Sequence, residues 1–358
     1  MKRVLSIVLS VLLTAILLTS CGCSDSGKTE ETTAADKTDA ELAAYISDKL
    51  EEIKYDGVIY LTHNGNVVYQ RATGTDENGE PLTVDTSMYI GSVSKQFCAA
   101  AVMILRDRGR LGVDDTIDKY FTEYDRGKDI TIKHLLTMRS GIRDTVGEGF
   151  AGTLPCGKTE EENTALIKEW IFSQPLLFEP GSSFVYSNSN YILLADIVEQ
   201  VSGQYYNDFL RENIFDPLDM KHTGLITEVS DSPKWAENLI CDSEIEEVKI
   251  KGVSKGAGDI ASNAPDMVKW MEGLSGGKIV SPDTLREMTA DYSPDHGEKY
   301  GYGLTQMFAG GIGHEGAISD YSSMDFFTPE SGYCFFCDSN GSDPGNMATL
   351  LLYDHLTE

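Results

Sequence analysis

Residues 88–105, MYIGSVSKQFCAAAVMIL, set a polar Ser92-Val93-Ser94-Lys95 against a run that is almost wholly apolar. The run predicts a helix over 94–108 built for burial, because a helix apolar on all sides belongs inside a core. A lysine in its first turn is out of place there. Burying an unpaired ammonium costs several kcal/mol, so Lys95 needs a partner, a shifted pKa or a task. Three residues make nearly one helical turn, which puts the Ser92 hydroxyl and the Lys95 amine on one face. A first-turn serine also lies beside the positive end of the helix dipole and its free amides. The pair alone is a weak signal, since S-x-x-K arises by chance about once in a chain of this length. The structural alternative makes Ser92 a plain N-cap and Lys95 a snorkelling surface residue.

On either side of this stretch the chain changes character. Upstream, Leu42, Tyr45, Ile46 and Leu50 have helical spacing, and GVIYLTHNGNVVYQRATG (57–74) reads as two strands joined by Asn64-Gly65, a strong hairpin signal. Downstream the pattern predicts helices over 94–108, 131–138, 160–173, 190–202, 204–213 and 264–274, punctuated by Gly and Pro joints. After Tyr300, strand-like runs return in YGYGLTQMF (300–308), SSMDFFTP (322–329) and GYCFFCDS (332–339), and 347–355 predicts a closing helix. This order predicts an α+β fold in which both chain ends build one antiparallel sheet flanked by helices, an α/β/α sandwich, with a mostly helical region inserted. Residues 41–90 and 295–358 form the expected sheet region and 91–294 the helical one. There is no internal repeat.

With 358 residues and 41% hydrophobic content, the chain can bury one large core or two moderate ones. Its formal charge of -28 argues against a nucleic-acid partner, whose phosphates need Lys and Arg. Lys2 and Arg3 followed by the apolar Val4 to Leu18 read as an export signal over 1–20. Leu18-Thr19-Ser20-Cys21 resembles the bacterial lipobox, which implies lipidation at Cys21 and an extracytoplasmic body anchored to a bacterial membrane. An ordinary signal peptide cleaved elsewhere is the alternative. Residues 21–40 are polar and lack aromatic residues, as in a flexible tether. Of the seven cysteines, Cys98, Cys156, Cys241, Cys334 and Cys337 lie in the body. Cys334 and Cys337 fall in a strand-like run where residues three apart face opposite sides, so buried thiols are expected rather than a redox or metal pair.

Further motifs give Ser92 and Lys95 a setting. Glu179-Pro180-Gly181, Tyr186-Ser187-Asn188 before an apolar helix, and Asp216-Pro217-Leu218-Asp219-Met220 follow in order. Together with Gly91-Ser92-Val93-Ser94-Lys95 they resemble the serine beta-lactamase family of class C type, which includes penicillin-recognising D,D-peptidases and related esterases. The likeness runs from about Asp56 to Asn340 and takes in ITIKHLLTMRSGI (130–142) and GAGDIASNAPDMVKWMEGL (256–274). It implies a beta-lactamase/transpeptidase-like fold over 41–358. His314-Glu315-Gly316 fits the family's third motif, a basic residue, a variable residue and glycine on a strand facing the serine. The structural alternative there is a strand-end histidine with a turn glycine.

The chemistry implied is acyl transfer. A serine hydroxyl is a poor nucleophile at neutral pH and needs a base within reach. Lys95 serves if neutral; Tyr186, held between cationic groups, could instead supply a phenolate, and the sequence does not decide between them. The resemblance gives Ser92, Lys95 and Tyr186 catalytic roles and makes the backbone amides of Ser92 and Ala317 the oxyanion donors. It assigns Asn188 to a substrate amide or to Lys95, and His314 to Tyr186 and any substrate carboxylate. Asn188 also reads as an N-cap for the helix expected near Asn190. Where relatives often continue with glycines, this chain reads Gly316-Ala317-Ile318-Ser319-Asp320-Tyr321. Asp320 places negative charge near a substrate carboxylate, which favours a neutral ester or amide, or a substrate bearing a cation.

Six histidines, His63, His134, His222, His296, His314 and His355, show no metal-protease spacing, and there is no P-loop or dinucleotide fingerprint. No metal or cofactor is implied. The expectation is an exported serine hydrolase acylated on Ser92, acting on a small-molecule or peptide substrate through an amide or ester bond. A class C-like beta-lactamase and a penicillin-binding sensor without turnover are its rivals. The oligomeric state is not legible.

Overall fold

The computed structural model describes residues 39–75, 79–154, 158–226, 252–318 and 321–340. Cys21 and its signal segment, Cys156, Cys241, Asp320 and the helix expected over 347–355 lie outside the described residues. The first helix, α1 (Asp39–Ile53), opens with Asp39 and Ala40, so these two are helical and not part of a tether. It buries Leu42, Ile46 and Leu50 at four-residue intervals, one turn apart on a single face.

Next come β1 (Gly57–His63) and β2 (Asn66–Thr73), paired antiparallel. Asn64 and Gly65 join them with φ of 49° and 80°, a two-residue turn that both residue types tolerate. From the far end of the sequence come β6 (Lys299–Tyr300), β7 (Thr305–Gln306), β8 (Ile312–Ile318), β9 (Tyr321–Phe327) and β10 (Tyr333–Asn340). The sheet runs β2-β1-β10-β9-β8-β7-β6 and is antiparallel throughout. Among the described residues the last strand therefore lies beside the first, as an α+β chain with its sheet built from both ends requires.

Period-2 alternation divides the sheet's side chains between two cores. Ile59, Leu61, Met324, Phe326, Phe335 and Cys337 pack under α1. Val58, Phe327, Cys334 and Phe336 face the helical region on the other side. Cys334 and Cys337 thus sit on opposite faces, buried and unbridged.

The helical region contains α2 (Ser94–Asp107), α3 (Ile132–Leu136), α4 (Glu160–Ser173), α5 (Asn188–Ser202), α6 (Tyr206–Leu210), α7 (Ala264–Ser275) and α8 (Pro282–Met288). Every residue of α2 from Ser94 to Leu105 is buried, as its all-round apolar character demands. At the start of α4, a capping box between Thr159 and Glu162 satisfies free amides. Gly203 closes α5 at φ 76°.

Several details differ from the sequence reading, among them α8, which it did not include. Residues 300–308 are two short strands with a turn between them, because Gly303 (φ 65°) passes so close to Lys95 that a Cβ would lie 2.6 Å from its carbonyl oxygen. The helix expected over 204–213 ends at Leu210 and widens into a π turn over Arg211–Phe215. A small second sheet of β3 (Met88–Tyr89), β5 (Ile260–Ser262) and β4 (Gly224–Leu225) sits just before the 90–95 turn. Its strands are too short to carry a sequence period.

Candidate active site

Ser92 lies in a 3-10 turn, Gly91–Val93, that leads directly into α2. It is not an N-cap: neither the turn nor α2 has a side-chain cap, and Ser94 Oγ instead receives the Ile260 N–H at 3.2 Å. Lys95 is no surface residue either, being 0% exposed. Its Nζ lies 2.9 Å from Ser92 Oγ, 2.8 Å from Asn188 Oδ1 and 2.6 Å from the Ala257 carbonyl. Burial lowers its pKa from 10.5 to about 7, against a smaller upward pull from Asp144, Cys98 and Asp259.

The proton inventory of these contacts fixes the direction of each bond. Asn188 Nδ2 donates to both oxygens of Asp144, at 3.3 and 3.2 Å, so its Oδ1 must face Lys95. The Ala257 carbonyl can only accept. A neutral amine has two protons and one lone pair; with both protons committed to Asn188 and Ala257, the lone pair is left for the Ser92 hydroxyl. Asn188 is the first residue of α5, whose N-cap position is Ser187, and so it does not cap the helix. The helix begins two residues earlier than its apolar pattern announces, which frees the Asn188 side chain for Lys95.

Tyr186 is half-buried, with Lys95 Nζ 4.8 Å from its ring centre. Burial pushes the phenol well above its ordinary pKa, and its hydrogen bond with Ser92 offsets only part of this. A standing phenolate is therefore disfavoured, and of the two candidate bases the geometry and electrostatics favour the amine.

His314 points from β8 into the same region but does not hydrogen-bond Tyr186. Its Nε2 is 3.3 Å from Tyr300 Oη and its Nδ1 2.5 Å from the Glu315 carbonyl, while its ring centre is 6.2 Å from that of Tyr186. Burial, with Lys95 as a lesser cause, lowers its pKa to about 3. A neutral imidazole cannot hold a substrate carboxylate by charge.

Two glycines bring β8 against the Ser92 turn. At Gly316 a Cβ would lie 2.2 Å from the Ile90 carbonyl oxygen, and at Gly91 (φ 47°) it would lie 2.9 Å from the Ala317 nitrogen. Main chain therefore touches main chain where the Ser92 and Ala317 amides meet, as a two-amide oxyanion site needs. β9 fastens this seam from behind. Ser323, opposite Gly316, donates to the Ile90 carbonyl at 2.8 Å, and Asp325, opposite His314, accepts from His314 N at 3.1 Å and Gln96 Nε2 at 2.5 Å. Trp270 Nε1 in turn donates to Gln96 Oε1.

Six of the predicted residues thus gather around Ser92. Asp144, the Ala257 carbonyl, Tyr300 and the Gln96–Asp325 pair were not foreseen, because each acts through a backbone group or another side chain. Among the described residues no cluster of His, Cys, Asp and Glu could hold a metal ion.

Known proteins resemble this chain in sequence and in fold. A D-aminopeptidase of Brucella anthropi is 29% identical over 280 residues, covering 73% of this chain and 51% of the relative. Penicillin-binding protein 4* of Bacillus subtilis is 26% identical, covering 76% of this chain and 65% of the relative. The chain therefore spans between half and two thirds of these two relatives. The crystal structure of D-amino acid amidase from Ochrobactrum anthropi, complexed with D-phenylalanine, superposes with a TM-score of 0.72 at 24% identity, over 88% of this chain and 99% of that one. The beta-lactamase family model matches residues 42–357, and the chain belongs to that family.

Proposed function

We propose that this chain is an exported serine hydrolase that forms an acyl-enzyme on Ser92 and acts on an amide, peptide or ester bond. One observation carries the reading: a fully buried lysine whose two acceptor-only partners leave its lone pair for the serine hydroxyl. Lys95 takes the Ser92 proton as Oγ attacks the carbonyl carbon, and the tetrahedral oxyanion rests on the Ser92 and Ala317 amides. Tyr186, neutral, takes the proton from Lys95 as it gives its own to the leaving group, and the scissile bond breaks. Water then attacks the ester, its proton passing back along the same pair, and the acid product leaves.

The charges at the site favour a particular substrate. His314 is neutral, while Asp144 and Glu298 act as negative neighbours of Tyr186. A substrate with a neutral or cationic group beside the scissile bond fits better than one with a carboxylate there. The D-aminopeptidase among the similar proteins supports this preference. The sequence of the first 21 residues supports export and lipidation at Cys21, for which the mass of the mature N-terminal peptide is the test.

Labelling with a fluorophosphonate and a fluorescent penicillin, beside Ser92→Ala, tests the nucleophile. A panel of D-amino-acid amides, D-peptides, short-chain esters and nitrocefin tests the substrate. Turnover of amides or esters that is lost in Ser92→Ala is expected. Rapid nitrocefin hydrolysis would make the chain a beta-lactamase instead, and stoichiometric labelling without turnover would make it a sensor.

A further inference from the structure

The Ala257 carbonyl that receives a Lys95 proton belongs to a tight turn, and that turn is held by a second buried lysine. Lys255 is 3% exposed, and its Nζ lies 2.7 Å from Glu199 Oε2 on α5 and 3.2 Å from Glu160 Oε1 on α4. Both carboxylates are themselves fixed: Glu199 Oε1 accepts from the Tyr206 N–H at 2.9 Å, and Glu160 Oε2 from Tyr205 Oη at 2.6 Å. Two residues on, the Ala257 and Gly258 N–H groups both donate to the Ser254 carbonyl, at 2.7 and 2.9 Å, and Gly256 N–H donates to Asp259 Oδ1 at 3.0 Å. Gly256 (φ 73°) presses so close to α5 that a Cβ would lie 2.8 Å from the Tyr191 carbonyl oxygen. The turn has little freedom between the Lys255 anchor and the Ala257 carbonyl.

A buried ion pair contributes little net stability over an apolar replacement, and its best-attested use is to fix one geometry among several. We infer that Lys255, clamped by Glu199 and Glu160, is a positioning residue that holds the Ala257 carbonyl on the Lys95 amine. This rests on Lys95 acting as the base. A carbonyl acceptor favours the ammonium form, so withdrawing it makes Lys95 less basic. The titratable groups that face Lys95 are Ser92 and Cys98 from its own helix and turn, Asp144, Tyr186, Tyr191, Asp259 and His314. Lys255 is not among the charges that act on Lys95 directly, but it lowers the pKa of Asp259 while Glu160 raises it. Through Asp259 alone, Lys255→Met would lower the Lys95 pKa whereas Glu160→Gln would raise it, opposite to the positioning effect.

The test is the rate of fluorophosphonate labelling of Ser92 from pH 5 to 10 in wild type, Lys255→Met, Lys255→Arg and Glu160→Gln. In Lys255→Met the acid limb moves down by about one pH unit and the plateau rate falls several-fold. Lys255→Arg keeps the wild-type limb. Glu160→Gln, which leaves the Glu199 anchor in place, moves the limb the same way by less and serves if Lys255→Met fails to fold. An unmoved limb in Lys255→Met and Glu160→Gln, even with a lower melting temperature, overturns the inference. So does a limb that moves up, which reports only the lost field of the lysine. If the wild-type rate has no acid limb near neutrality, or Lys95→Met still labels, the base assignment itself fails whatever the Lys255 variants do.

Discussion

Replacing Lys95 by methionine should abolish acylation and at the same time remove a pH-dependent penalty from the folded state. In the unfolded chain the amine has its ordinary pKa of 10.5; in the fold, burial brings it to about 7. Between these values the unfolded chain binds more protons, so the stability contributed by this group rises with pH. The penalty is fully present below pH 7 and gone above the unfolded value. The shift corresponds to a cost of about 4 kcal/mol at pH 7 and about 1 kcal/mol at pH 9.5, a change of about 3 kcal/mol. Methionine also leaves the Asn188 and Ala257 oxygens without a donor, which costs about 1–3 kcal/mol each at every pH. The informative quantity is therefore the difference between wild type and variant at the two pH values, measured by urea unfolding. Relative to wild type, Lys95→Met should be more stable at pH 7 than at pH 9.5 by about 3 kcal/mol. Equal differences at both pH values would mean that the amine is not held neutral by the fold, and the assignment of Lys95 as base would fall with it.

Three further outcomes are expected. The rate of Ser92 acylation should fall about tenfold per pH unit below about 7, because only the unprotonated amine accepts the serine proton. Tyr186→Phe should leave that acid limb in place while slowing leaving-group departure and deacylation by about 100-fold, read from pre-steady-state bursts; unchanged rates in both steps would remove Tyr186 from the proton path. Gly316→Ala must push β8 away from Ile90, since its new carbon would sit 2.2 Å from a carbonyl oxygen, and should lower kcat about 100-fold or more by spoiling the amide pair. An alanine variant with wild-type kcat would show that the seam does not hold the oxyanion.

What the sequence made legible followed from strong local physics. The apolar α2 run, the Asn64-Gly65 turn and the short aromatic-rich runs of β9 and β10, bounded by turn residues, each carry a local signal strong enough to outweigh competing readings. Helical spacing puts Ser92 and Lys95 on one face, but the pair gains weight only from the motifs that follow it. Tyr186 and Asn188 were placed by motif resemblance, since nothing local ties residues so distant in sequence to Ser92. The misread strand at 300–308 has a clear cause: Tyr300-Gly301-Tyr302-Gly303 mimics period 2, yet the glycines are there because main chain from Met288 and Lys95 leaves no room for a Cβ. Asp144 and Ala257 remained hidden for another reason. One orients an amide and the other offers a carbonyl, and neither task imposes a pattern on neighbouring residues.

The position of β10 between β1 and β9 sets when the candidate site can be completed. As the chain is made, the β1–β2 hairpin has one edge waiting for a strand that follows the helical region, and β8 with its Ala317 amide follows that region too. A ribosome-held or prematurely ended chain stopping before Tyr333 can form the nucleophile's helix but cannot close the sheet behind it. Completion of the site is thus postponed until Tyr333 to Asn340 has been made, a delay written into strand order.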